Sequence, residues 1–140
     1  MSAFVLDASM TMAWHFRDER TEDTQAAAEM TDDHQVVVPH HWFAEVANAM
    51  LMGERRGRAL PVDSARFVER LQLLDLDVDE LGANQALDRL LPLARSHGLT
   101  VYDTYYLELA ERRGLPLASI DKQLCAAARS VGVAILTETP

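Results

Sequence analysis

The chain predicts an α/β domain: a three-layer sandwich with a mostly parallel, five-stranded sheet and about seven flanking helices. Three features of its 140 residues carry that expectation. Short apolar runs alternate with longer helical patterns, as in strand–helix–strand units. The short runs are apolar at consecutive positions rather than at every second one, as for strands buried on both faces of a parallel sheet. The helical stretches stop at glycine, before the next element begins.

Taken in order, the strands are expected at Phe4–Leu6, Gln35–Val38, Leu76–Val78, Leu117–Ile120 and Val133–Leu136. Helices are expected over 9–16, 22–32, 41–56, 62–74, 83–97, 102–113 and 122–131. The first is rich in large apolar groups: Met10, Met12, Trp14 and Phe16. Pro39 and Pro61 mark entries into helices. In the third helix Phe43, Val46, Ala47, Met50 and Leu51 recur at i, i+3, i+4, i+7 and i+8, which predicts its core stripe. Gly57, Gly98, Gly114 and Gly132 follow final helical turns, three of them directly after Arg or His. Pro92 stands inside 83–97, where it is expected to kink or divide the helix. With no linker or repeat in view, the chain reads as one domain over residues 1–140.

Composition narrows the function. Hydrophobic residues make up 49% and charged residues 25%, a globular balance. No apolar run approaches the ~20 residues that span a bilayer. The N-terminus lacks the basic region of a signal peptide, and a single cysteine, Cys125, fits a reducing cytoplasm. The formal charge of −9 argues against a protein that coats nucleic acid, but not against an enzyme whose metal ions meet the phosphate. Twelve of the 13 basic residues are arginine, with patches at Arg55-Arg56-Arg58 and Arg112-Arg113.

Four acids stand beside apolar segments: Asp7, Glu45, Asp103 and Asp121. A carboxylate there is costly unless paired or bound to a cation. Asp7 and Asp121 end strands, Glu45 lies about two turns into the helix after the second strand, and Asp103 lies in a helix's first turn. In an open α/β sheet that distribution brings all four toward the carboxyl edge, where sites form. Each also has a structural role open to it. Asp7 suits a turn, with Ser9 capping the next helix; Thr100–Asp103 matches a capping box; Asp121 can cap the helix that starts at Lys122. Glu45 has the weakest structural alternative.

The segments Val5–Ser9, Phe43–Ala49, Tyr102–Ala110 and Leu117–Leu124 resemble, in order, the motifs of the PIN-domain family, and most closely its VapC-type toxins of type II toxin–antitoxin systems. The resemblance implies a PIN-like sandwich and an endoribonuclease, dependent on Mg²⁺ or Mn²⁺, that cleaves RNA phosphodiesters with metal-activated water. It implies a metal-binding triad of Asp7, Glu45 and Asp103, with Asp121 at the more variable fourth acid and Ser119 two residues before it. It further implies a small VapB-like antitoxin partner and a homodimer. Ser9 and Ser119 are candidates to orient the carboxylates.

Other features are expected to be structural. His40-His41 are adjacent and diverge by ~100° on a helix, so no histidine metal site is expected. Asp75–Glu80 lacks the glycine of a calcium loop and reads as a strand with a solvated acidic face. A receiver-like phosphoacceptor would want paired acids near the first strand, where Asp7 stands alone. A non-catalytic module on the same fold would be marked by a lost acid, and none is lost.

Overall fold

The computed structural model describes residues 2–81 and 83–138. Four parallel strands, β1 (Ala3–Leu6), β2 (Gln35–Pro39), β3 (Leu76–Asp79) and β4 (Leu117–Ala118), form one sheet in the order β3-β2-β1-β4. Seven α-helices accompany them among the described residues: α1 (Ala8–His15), α2 (Glu22–Met30), α3 (Trp42–Arg55), α4 (Pro61–Leu71), α5 (Ala83–His97), α6 (Val101–Arg113) and α7 (Lys122–Ser130). A 3-10 turn at Arg17–Glu19 follows α1. The expected α/β architecture is present, with one strand fewer.

The missing strand is Val133–Leu136. Only a single bridge, Leu117 to Ile135, joins it to the sheet, through Leu117 N to Ala134 O (2.9 Å) and Leu136 N to Leu117 O (2.8 Å). Its neighbour β4 is itself only two residues long, so it offers no longer ladder. Beyond it the chain turns away at Thr137, where φ is 71°.

The central strands bury because the residues inside them are apolar. Phe4, Val5, Leu6, Val36, Val37 and Val38 are all fully buried, and Val5 pairs with Val37 on one side and Leu117 on the other. Both sheet faces are therefore apolar, as parallel pairing under helices requires. Helix α6 is buried almost all round, with Tyr106, Leu107, Leu109 and Ala110 in the core. It ends at Gly114, whose φ of 65° is the left-handed C-cap that a side chain resists.

Two expectations about helices are corrected. The buried stripe of α3 is Trp42, Val46, Met50 and Gly53, while Phe43 and Leu51 are 46% and 42% exposed. An i, i+4, i+8 row rotated from the expected one was chosen because Trp42 donates its indole N–H to Thr11 Oγ1 (3.1 Å) and fills the core. Gly53 completes that row: a Cβ there would stand 2.5 Å from Phe16 Cζ, so the glycine lets the α1 end pack on α3. Pro92 neither ends nor divides α5, which runs through it to His97.

Candidate active site

The carboxyl edge of the sheet gathers the sequence-predicted acids. Asp7 directly follows β1, and its backbone N–H donates to Ala118 O (3.1 Å), which ties the ends of β1 and β4 together. This bond brings Ser119 against Asp7. Ser119 Oγ donates to Asp7 Oδ2 (2.5 Å), and Ser9 Oγ reaches both carboxylate oxygens (2.8 and 2.9 Å). The serines also hold the opposite loop, since Ile120 N–H donates to Ser9 Oγ (3.0 Å) and Asp121 N–H to Ser119 Oγ (3.0 Å). Asp7 itself caps α1 by accepting from Met10 N–H (2.8 Å); the helix cap is Asp7 rather than Ser9, which points back at it from the first turn.

Asp7 is 3% exposed. Burial pushes its carboxyl up to about 7, against the opposing bonds from Met10, Ser119 and Ser9, and the charge of Asp103 adds to the rise. Asp103 is raised by burial and then by the charges of Asp121 and Glu45. Asp103 therefore lies within charge range of the other three acids. They do not crowd into contact: among the described residues no group of three or more His, Cys, Asp or Glu stands at ligating spacing.

The expected capping box at α6 is half formed. Thr100 Oγ1 accepts from Asp103 N–H (3.2 Å), but no Thr100 N–H bond to the Asp103 carboxylate accompanies it among the described residues. The Thr100 hydroxyl still opposes the rise of the Asp103 carboxyl, but burial and the neighbouring acids outweigh it. Asp121 does cap α7, through Leu124 N–H to Oδ1 (2.9 Å), which leaves Oδ2 without such a bond.

Glu45 is held differently. Tyr106 Oη donates to its Oε1 (2.6 Å), and His41 Nε2 stands 3.1 Å from the same oxygen, one helical turn earlier on α3. Burial raises the Glu45 carboxyl, but these two bonds outweigh it and hold the group below its ordinary value. The His41 ring packs among Tyr102, Tyr105 and Tyr106, with centroids 5.8, 5.2 and 5.1 Å away. From sequence His41 reads only as a rejected metal ligand, and Tyr106 carries no expected role. The available signals were spacings: His41 is four residues before Glu45, and Tyr106 three after Asp103, so each shares a helix face with an acid.

All the donors here are carboxylate oxygens, the chemistry that hard divalent cations prefer. A cation would relieve the burial and mutual repulsion that raise Asp7 and Asp103. The residues fit such an ion by chemistry and charge. No basic side chain neutralises Asp7 or Asp103 among the described residues' ion pairs.

Two other acidic features differ from expectation. The β3 acids are not a solvated face: Asp79 is 2% exposed and receives Arg112 Nη2 (2.6 Å) and Arg113 Nη2 (2.8 Å). Arg112 Nε also binds buried Glu108 (2.7 Å), and Arg113 binds Asp77 (2.7 Å), so the Arg112-Arg113 patch is committed internally.

Comparisons with known proteins identify the family. Residues 4–130 match the PIN domain model. The chain is 31% identical over 121 residues to Ribonuclease VapC3 of Pyrobaculum aerophilum, covering 86% of this chain and 90% of that one. Its fold is similar to the crystal structure of PAE2754 from the same organism, with a TM-score of 0.72 and 23% identity over 96% of this chain and 90% of that one. With the family model matching nearly its whole length, the chain belongs to the PIN domain family.

Proposed function

We propose that this protein is a Mg²⁺- or Mn²⁺-dependent endoribonuclease whose site is Asp7, Glu45, Asp103 and Asp121. The observation that carries the reading is a set of acids at one sheet edge, two of them raised by burial and by like charges, with no ion-pair partner on Asp7 or Asp103 among the described residues. A relative named as a ribonuclease supports RNA as the substrate.

When bound, Mg²⁺ or Mn²⁺ supplies positive charge to the phosphate and acidifies water within its reach. Asp7, Glu45 and Asp103 would hold it. Ser9 and Ser119 keep the Asp7 oxygens from turning away, as outer partners of metal ligands do. Tyr106 and His41 hold Glu45 through its Oε1. Asp121, with one oxygen on the α7 cap, offers the other to orient the attacking water. That water's oxygen joins phosphorus as the P–O3′ bond breaks, so the products carry a 5′-phosphate and a 3′-hydroxyl.

The same reading makes the protein the toxin of a toxin–antitoxin pair, acting in the cytoplasm, held by a small VapB-like antitoxin and forming a homodimer. Phe43 and Leu51 on α3, and separately Val62 and Val68 on α4, are exposed apolar side chains that such partners would cover.

The test is cleavage of RNA by the wild-type protein and by Asp103→Asn, with Mg²⁺, Mn²⁺ or EDTA. Metal-dependent cleavage lost in the variant is expected. Equal cleavage by both proteins would end the assignment. Millimolar Mg²⁺ should also raise the melting temperature of the wild type and not of Asp7→Asn.

A further inference from the structure

A groove leads away from the acids. About 410 Å³ in volume, it begins at Ser9 and Glu45, passes the apolar side chains of Met12 and Phe16, and reaches Arg58. Arg58 also borders a second cavity of about 540 Å³, between the end of α1 and α4. Five arginines line that cavity, Arg17, Arg20, Arg58, Arg66 and Arg70, against two aspartates, Asp18 and Asp63.

This concentration is out of character for a chain of net charge −9. Arg89, Arg112, Arg113 and Arg129 are tied to carboxylates elsewhere. Within the cavity only Arg58 is, to Asp18 and Glu19 (3.0 and 3.1 Å), while its guanidinium lies 3.8 Å over the Phe16 ring. Arg17, Arg20, Arg66 and Arg70 form no ion pair with a described residue. Arg70 is set over the Phe67 ring, at 5.7 Å, and Arg20 donates to Trp14 O (3.2 Å). His15 lines the same wall, and its Nε2 is buried without a hydrogen-bond partner among the described residues. Planar forks already held against aromatic rings or backbone lose less freedom when they bind an anion. Five arginines facing two aspartates leave an excess of positive charge that an anion would relieve.

We infer that the arginine cavity between α1 and α4 is a phosphate-binding subsite for single-stranded RNA, joined to the acidic edge by the Met12–Phe16 groove. The inference rests on the nuclease reading for its direction. The acids and their metal take the scissile phosphate; the half-buried Ala49 and Met52 on the groove wall offer apolar surface to a base; the arginines take phosphates further along the strand. Remote contacts of this kind hold the strand in register and carry no base specificity. They also offset the repulsion an acidic body exerts on RNA.

The test is fluorescence anisotropy with a labelled single-stranded 12-nucleotide RNA in EDTA, where no cleavage occurs. Arg17→Ala/Arg66→Ala is compared with Arg95→Ala/Arg129→Ala, which removes the same charge elsewhere. Arg17 and Arg66 are exposed, and circular dichroism checks that each variant folds. The cavity variant should bind about tenfold more weakly, with the salt slope reduced by roughly 1.4, or ~0.7 for each lost phosphate contact. Arg17→Lys/Arg66→Lys should recover most of the affinity. Equal weakening in both alanine pairs, or none in either, overturns the proposal. So does a cavity variant that loses binding to a deca-glutamate peptide but keeps RNA, because the cavity then serves a protein partner. A protein that never cleaves RNA, yet binds it through Arg17 and Arg66, would lose the nuclease reading and keep this one. One that cleaves, but binds without those arginines, would do the reverse.

Discussion

Two groups of buried carboxylates share the carboxyl edge of one sheet, and their surroundings make them opposites. At the end of β3, Asp79 is met by Arg112 and Arg113, and Arg112 also grips Glu108 together with Arg89. Burial pushes Asp79 up, but the bonds from the two arginines win and hold it below its ordinary value. At the ends of β1 and β4, Asp7 is as buried and has only hydroxyl and amide donors; its carboxyl rises to about 7. Position at the strand ends is therefore a poor guide to chemistry by itself. What separates a structural clasp from a candidate site is whether the protein supplies the counter-charge itself.

The clasp is where substitution should cost most. Arg112→Leu leaves Asp79 and Glu108 partly unpaired in the core, and should destabilise by roughly 3 kcal/mol or more in urea denaturation. Cleavage per folded molecule should survive. If cleavage falls with stability intact, the two regions are not separate, and the comparison breaks.

Asp103→Asn should do the opposite, lowering the cleavage rate by about 10²-fold or more, near ~2.7 kcal/mol in the barrier. Its melting temperature without metal should hold or rise, because one of the mutually repelling charges is gone. A loss of stability without loss of rate would return Asp103 to helix capping.

Asp7 offers a sharper test through pH. Unfolded, its carboxyl titrates near ~4. Folded, it titrates at about 7, so between those values the native state holds more protons than the unfolded one. Its contribution to stability is then largest below about pH 4 and falls as pH rises to about 7. Asp7→Asn should stabilise the metal-free protein by about 2 kcal/mol at pH 8, and the gain should shrink toward acid. Thermal melts across that range check it; a constant difference would mean the charge is not what matters. The Asp79 clasp should show the reverse slope, losing stability as pH falls through its lowered value.

The smallest effect is expected at Tyr106. Tyr106→Phe removes one bond to Glu45, for about 1 kcal/mol, and should slow cleavage several-fold. Because His41 still holds the same oxygen, His41→Ala combined with Tyr106→Phe should slow it more than the two alone imply. Additive losses would mean the pair does not share a task.

Much of this was legible in the chain. The strands β1 and β2 are unbroken apolar runs, and such runs have few alternatives to a buried parallel sheet. Gly57, Gly98, Gly114 and Gly132 all carry positive φ, as their places after helical turns foretold. The ordered acids pointed to one edge because a parallel sheet has only one carboxyl edge. Other features depend on which residues meet across long separations. The α3 stripe turned because Trp42 found Thr11, a contact periodicity cannot foresee. Val133–Leu136 reads as a strand, yet β4 is too short to pair with it.

The same division runs through the site. Local order determined the fold class, the helix ends and the identity of the four acids, because these depend on backbone geometry and on neighbours within a few residues. Counter-charge was decided only by folding. Asp79 ends β3 and Asp7 directly follows β1, so in sequence each is an acid at the end of a strand. The arginines that neutralise one lie 33 and 34 residues away on α6, and among the described residues none pairs with the other. Charge balance in a core is a property of three-dimensional neighbours, and it sets the paired acids apart from the unpaired ones.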